Sequence, residues 1–370
     1  MLRLTNSAFD LGLVSAFQFV PTLTLGLFGG VLADRFDKRR VLIFTQAAFG
    51  VFAAVLAVLT ATGLVRLWQV YVLALCTGIV TVLDAPTRQA FVVDMVGPED
   101  LANAIALNSS VFNSARAIGP AVAGALIASV GLATCFYLNA ISYVAVIGGL
   151  MLMRPEELRR AQRRAQAMLP ALREGLQYIR SRRLIILILV LIAVIGTFGM
   201  NMQVLIPVLA SSGLKVGAVG FGILSSASGV GALIGALAVA STGRATLRMI
   251  LIGAIAFGVF QIALALPVGY AGAIALLFVM GGSSIVYTSA SNSLLQLNVA
   301  DEVRGRVMSV YFLLFAGTTP IGAPIIGAVA TKWGVTGGFL VEGAITLLAA
   351  GYGLWAAPRA LPQAAEMDPH

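Results

Sequence analysis

"GGVLADRFDKRR", Gly29 to Arg40, closes a long apolar run and holds six ionised side chains: Asp34, Arg35, Asp37, Lys38, Arg39 and Arg40. Only 11% of the 370 residues are charged, so this density needs a cause. Hydrophobic residues make up 59% of the chain and mean hydropathy is +0.97. A domain folded in water must wet its outside and cannot hide that much apolar surface. The natural solvent is a bilayer, and the charged stretch is a turn at its surface. The net charge of +9 does not point to nucleic acid, because the basic residues sit in short clusters between apolar runs.

Working outward from this turn, runs long enough to span a bilayer fall at 9–33, 41–62, 67–91, 103–130, 132–153, 184–209, 217–241, 248–267, 270–295, 306–331 and 335–357. The fold class expected is an all-α polytopic membrane protein with eleven spans. The first run lacks a basic leader and a cleavage site, so it reads as a span. Eighteen of the 24 Lys and Arg fall on one set of loops and four on the other. The crowded side should be cytoplasmic, which predicts a multi-pass protein of the cell inner (plasma) membrane with a cytoplasmic C-terminus.

The chain repeats itself weakly. "GALIASVG" (Gly124–Gly131) returns as "GAVATKWG" (Gly327–Gly334), and "LGLVS" (Leu11–Ser15) as "FGILS" (Phe221–Ser225). Two parallel copies of one unit are expected. They are residues 1–153 with five spans and 184–357 with six, joined by a basic linker at 154–183 and followed by a tail at 358–370. The first copy lacks a counterpart for the opening span of the second. The expectation is a start further upstream or a shortened chain.

Gly30, Asp34, Arg35, Lys38, Arg39 and Arg40 stand in the pattern G-x-x-x-D-R-x-G-R-R, with Asp37 in place of the second glycine. This resembles the loop motif of the major facilitator superfamily. "DAPTRQAF" (Asp84–Phe91), "LNSSVFNSARAIGPAVAG" (Leu107–Gly124) and "LREGLQYIRS" (Leu172–Ser181) are similar to its enterobactin exporter and macrolide efflux branch. The resemblance covers nearly the whole chain. It implies two pseudo-symmetric helical bundles, and a cytoplasmic latch formed by Gly30, Asp34, Arg35, Lys38, Arg39, Asp84 and Arg88. On this reading Asp34 docks at the N-terminus of the helix starting near Arg306, and Lys38 or Arg35 pairs with Asp84, contacts made in the outward-open state and broken in the inward-open one. The bland alternative is a basic anchor that opposes translocation.

Charge at the centre of a span costs about 2.5–3.5 kcal/mol on insertion scales. Arg116 lies deep in its run, ahead of Gly119, Pro120 and Gly124, which resemble the family's antiporter motif. Arg116, Asn113 and Glu342 are candidates for substrate or proton coupling. For Arg116 the alternative is a structural bond to carbonyls of neighbouring helices, and for Glu342 it is snorkelling outwards. Asp84 and Arg88, four apart, share a helix face. The linker has a basic helical face suited to an anionic membrane surface.

The function expected is a secondary active exporter of small amphipathic, siderophore- or drug-like molecules, working by alternating access and proton antiport. Its partners would be the lipid bilayer, a small-molecule substrate and protons. A monomer is expected, with no nucleic-acid partner and no cofactor. The alternative is a non-transporting shortened paralogue, or a membrane binding or sensing protein. No Walker-type phosphate loop is present, the only histidine is His370, and Cys76 and Cys135 lie in apolar runs. ATP hydrolysis, a metal site and an enzyme are therefore not expected.

Overall fold

The computed structural model describes residues 1–33, 36–97, 99–154, 168–242 and 244–360, and every regular element among them is a helix. In chain order these are α1 (Leu2–Thr5), α2 (Ala8–Ala33), α3 (Lys38–Ala61), α4 (Leu67–Val96), α5 (Leu101–Val130), α6 (Leu132–Leu152) and α7 (Met168–Ser181). Then come α8 (Arg183–Phe198), α9 (Met202–Val208), α10 (Gly217–Ser241), α11 (Leu247–Leu264), α12 (Tyr270–Asn298), α13 (Asp301–Ala316) and α14 (Thr319–Ala360).

Ten stretches are long and apolar enough to cross a bilayer. The last, Val303–Ala360, is 58 residues and makes two passes. It turns back at Gly334, whose φ of 70° is left-handed. A β-carbon on Gly338 would touch Ala330 at 3.5 Å, which a straight helix cannot bring about over eight residues. Gly131 (φ 85°) makes the corresponding turn between α5 and α6. The two glycines close the two repeats quoted above.

Two helices that start on the charged side, α3 and α11, begin on a capping side chain. The Asp37 carboxylate accepts from the Arg40 backbone N–H at 3.0 Å, and the Thr246 hydroxyl accepts from that of Met249 at 3.2 Å. Each satisfies one of the orphan donors of a helix start. This explains why an acid suits position 37 where the family motif has glycine.

The two halves meet in two pseudo-equivalent helix crossings, α2 on α14 and α10 on α5. A β-carbon on Gly12 would collide with the Ala323 carbonyl, and one on Gly222 would stand 2.5 Å from the Pro120 carbonyl oxygen. Likewise Gly327 faces the Ala8 carbonyl at 2.6 Å, and Gly124 faces that of Ala218 at 2.6 Å. The α2 positions recur 210 residues later in α10, and the α5 positions 203 residues later in α14. Backbone against backbone is the packing small residues allow between membrane helices.

The halves differ in burial. The second has a continuous apolar core around α8, where Ile188, Leu191, Ile192 and Ile195 have no exposed surface. The first has a small cluster of Leu42, Phe91 and Leu150. Gly322 of α14 packs against the Thr197 carbonyl of α8, whereas its repeat-mate Gly119 has nothing within 4 Å. The linker helix α7 lies against α13: Gly175 faces the Arg306 side chain, and the Tyr178 hydroxyl accepts from the Ala300 N–H at 3.2 Å.

Candidate functional site

On the side of the charged turn, α3 runs antiparallel to α4 and their polar groups pair at matching depth. Lys38, the first residue of α3, puts its Nζ 2.7 Å from Asp94 Oδ2, near the end of α4. Lys38 and Asp84 are not paired in this structure. Asp84 lies twelve residues, roughly 18 Å by helical rise, from the end of α4 and is out of reach of the start of α3. Its partners sit deeper. Oδ1 accepts from Thr45 Oγ1 at 2.6 Å and Gln46 Nε2 at 2.8 Å, and Oδ2 accepts from Arg88 Nη2 at 2.8 Å and Nε at 3.2 Å. Asp84, Thr45 and Gln46 are buried, while the Arg88 side chain is half exposed. A buried carboxylate is tolerated on such terms: one cation and two neutral donors fill its lone pairs.

Arg39 is used differently from a mobile latch. Its Nε donates to the Leu150 carbonyl at 2.6 Å and its Nη2 to that of Met151 at 2.8 Å, satisfying carbonyls that the end of α6 leaves without partners. The polar contacts given for Lys38, Arg39, Asp84 and Arg88 thus tie α3, α4 and α6 of one half together. Gly30 falls in α2. Asp34 and Arg35, and with them the proposed docking of Asp34 near Arg306, lie outside the described residues.

In α5, Arg116 is exposed and makes no hydrogen bond or ion pair with the described residues, so the carbonyl-bonded alternative is not what the structure has. Its backbone forms part of the inter-half crossing, with the carbonyl 2.7 Å from where a β-carbon of Gly229 would stand. Asn113 is half buried on the same helix. Pro120 interrupts α5, and the next N–H, of Ala121, donates to Ser226 Oγ of α10 at 3.0 Å. Gly124 completes the crossing, and Gly119 faces open space.

The densest polar site is in the second half, where one span is broken. α8 stops at Phe198 and α9 starts at Met202, so between them the Gly199 carbonyl and the Asn201 N–H turn to side chains inside the bundle for their partners. Gln261 of α11 donates to the Gly199 carbonyl at 2.6 Å and to Glu342 Oε2 at 3.0 Å. The Asn201 N–H donates to Glu342 Oε1 at 3.2 Å, and its Nδ2 to the Thr197 carbonyl at 2.9 Å. Glu342 and Gln261 have no exposed surface and Asn201 has 1%. Snorkelling of Glu342 is thereby ruled out. No Lys or Arg among the described residues pairs with it. Gln261 Oε1 and Thr346 Oγ1, both buried in the same region, lack partners. Broken spans with carbonyls and amides turned inward are how membrane transporters build binding sites. Asp94 and Gln261 were not anticipated from sequence. A lone amide midway along an apolar run was the available signal for Gln261.

No group of three or more His, Cys, Asp or Glu among the described residues has metal-binding geometry.

The whole arrangement matches known proteins. A solved bacterial homologue of the human lysosomal transporter Spinster, in an inward-facing and unoccupied conformation, superposes with a TM-score of 0.74 over 96% of this chain and 90% of its own, at 15% identity. A peptide transporter POT variant gives 0.76 over 95% and 86%, also at 15% identity. In sequence, the staphyloferrin A transporter of Staphylococcus aureus is 26% identical over 94% of this chain and 87% of its own length. Macrolide efflux protein A of Streptococcus pyogenes is 24% identical over 93% and 86%, and the enterobactin exporter EntS of Salmonella typhimurium 29% over 88% and 78%. These relatives are transporters, not enzymes. The family model described as transmembrane secretion effector matches residues 1–369, and the chain belongs to that family of major facilitator transporters.

Proposed function

We propose that this transporter exports small amphipathic molecules by alternating access, drawing on a proton gradient through Glu342. The observation that carries the reading is the Glu342 carboxyl, sealed in the bundle with no Lys or Arg partner among the described residues, bonded to Asn201 on one side of the break between α8 and α9 and linked through Gln261 to Gly199 on the other. Burying an isolated carboxylate costs several kcal/mol. Its charge state therefore depends on whether water reaches it, which a rocking motion of the halves would control. The motion itself needs a bistable contact. The α2–α14 and α10–α5 crossings supply a narrow one, built on backbone contacts at glycine. These contacts lie in the first half of α2 and of α10, towards the end remote from the charged turn, consistent with a molecule open on the side of that turn. The kind of cargo rests on the siderophore and macrolide transporters among the relatives. Asp34, Arg35, Lys38, Asp84 and Arg88 would then set how the charged-side loop moves with α3 and α4.

A second reading, a non-transporting membrane binding protein, is favoured by one observation: among the described residues nothing stands within 4 Å of a β-carbon at Gly119 of α5, where Gly322 meets α8. Proteoliposomes carrying a pH gradient and an amphipathic fluorescent dye distinguish the two. Gradient-dependent dye flux, lost in Glu342→Gln, is the expected result. Flux equal to that of empty vesicles favours the second reading, and flux indifferent to the gradient rejects proton coupling.

A further inference from the structure

On the outer surface of the second half, the start of α8 and the end of α14 leave a cleft of about 330 Å³ lined by Arg183, Ile186, Leu187, Tyr352, Trp355 and Arg359, among others. Three independent features make its chemistry specific. First, both arginines are exposed and neither has a carboxylate partner among the described residues. The Arg359 guanidinium is held in place nonetheless: it stacks 4.1 Å from the centre of the Trp355 ring and donates to the Trp355 carbonyl at 3.2 Å. Second, α8 begins here without a side-chain cap, so its first N–H groups add the positive end of a helix to the two guanidiniums. Third, Trp355 is 61% and Tyr352 46% exposed, with their rings 5.9 Å apart, and Leu348 and Leu354 on the same arm of α14 are more than half exposed. An aromatic pair above exposed leucines is the signature of a surface bathed in lipid at headgroup level.

We propose that this cleft seats the headgroup of an anionic phospholipid, its phosphodiester held by Arg183 and Arg359. The glycerol region lies against Trp355, and the first acyl carbons against Ile186, Leu187 and Ala356. The occupant is a lipid and not a soluble anion because the approach to the arginines is flanked by apolar, outward-facing side chains. A zwitterionic headgroup would bring a choline or ethanolamine cation to two guanidiniums and lose the advantage. The site joins the start of α8 to the second arm of α14, which Glu342 and Gln261 link deeper in the bundle to the break that follows α8. A lipid there braces the broken span from its open end. The proposal does not depend on what is transported.

The test uses the full chain in neutral detergent, titrated with phosphatidylglycerol, phosphatidylcholine or inorganic phosphate and followed by native mass spectrometry and thermal unfolding. Phosphatidylglycerol should form a one-to-one adduct and raise the unfolding temperature, the other two should not, and Arg183→Gln with Arg359→Gln should weaken the adduct at least tenfold. Equal retention of phosphatidylcholine overturns the proposal, as does an unchanged adduct in the double variant. Displacement of the lipid by phosphate alone makes the site a free-anion site and also overturns it. A second measurement keeps both arginines. With Trp68→Phe and Trp333→Phe, Trp355 is the sole tryptophan, and brominated phosphatidylglycerol should quench it at several-fold lower mole fraction than brominated phosphatidylcholine. Equal quenching counts against the site.

Discussion

Gly119 and Gly322 occupy the same place in the two repeats, yet substituting them should have opposite consequences. A β-carbon at Gly322 would run into the Thr197 carbonyl of α8, a backbone atom that cannot rotate aside. Relief requires the first arm of α14 to part from α8, beside Asn201, whose Nδ2 stands 3.4 Å from the same β-carbon and whose own N–H bonds Glu342. Overpacking costs about 1–3 kcal/mol, and loosening a buried hydrogen bond adds about 1–3 kcal/mol. Gly322→Ala should thus lose roughly 2–6 kcal/mol, on the sum of those two ranges. At about 2–4 °C per kcal/mol for a unit the size of one half, that lowers the unfolding temperature by at least several degrees. Gly119→Ala meets nothing within 4 Å and gains helix propensity, up to about 1 kcal/mol. It should be neutral or slightly stabilising. Thermal unfolding of both variants in detergent, followed by helical circular dichroism, measures the contrast. Equal losses would refute the reasoning, because they would mean that α5 packs on a helix at Gly119 just as α14 does at Gly322.

Three further outcomes follow from the polar contacts. A double-mutant cycle on Lys38→Met and Asp94→Asn should show coupling of about 1 kcal/mol or more, since both groups are largely buried, whereas Lys38 and Asp84 should add independently. Arg39→Ala should destabilise by about 1–3 kcal/mol in the same unfolding assay, because it strips the end of α6 of two charge-assisted hydrogen bonds; Arg40→Ala should be nearly silent. Glu342→Gln keeps the shape and the bond from the Asn201 N–H, so the unfolding temperature should hold or rise while the dependence of dye flux on the pH gradient disappears; a large fall in stability would make the residue structural.

Much of the fold was legible because the bilayer imposes one rule: each span must be long, apolar and helical. The eleven runs and the turns at Gly131 and Gly334 follow from that rule and from two short repeats. The Asp84–Arg88 pair was legible for a similar reason, since spacing by four fixes a shared face whatever the tertiary structure. Lys38 was harder. Asp84 and Asp94 are both acids in one span, and choosing between them needs the depth of each against an antiparallel neighbour. The break at Gly199 was hidden, because residues 184–209 read as one uninterrupted apolar run. What stops the helix is tertiary: Gln261 and Glu342 arrive from α11 and α14 to satisfy the groups that unwinding exposes. For Arg116 depth left two readings open, and the bonded alternative fails because the helix turns the side chain to an exposed face.

The repeat gives the two halves the same scaffold and different chemistry. Gly12 and Gly222, and Gly124 and Gly327, place the same close crossings on either side of the molecule, so neither half is favoured as the moving part by its contacts with the other. The polar groups break that equivalence. The position 203 residues before Glu342 is Asn139, which is exposed on α6, whereas Glu342 is sealed against the broken span. An amide has no proton to lose at physiological pH and a carboxyl does, so the proton coupling proposed for Glu342 has no counterpart at the matching position of the first half. Symmetric crossings with a cation-free buried carboxyl on one side only suit the gradient-driven rocker proposed above. The crossings must be equally at ease in two arrangements, while one group must distinguish them. If both halves carried a carboxyl at this depth, protonation would have to occur twice for each turnover.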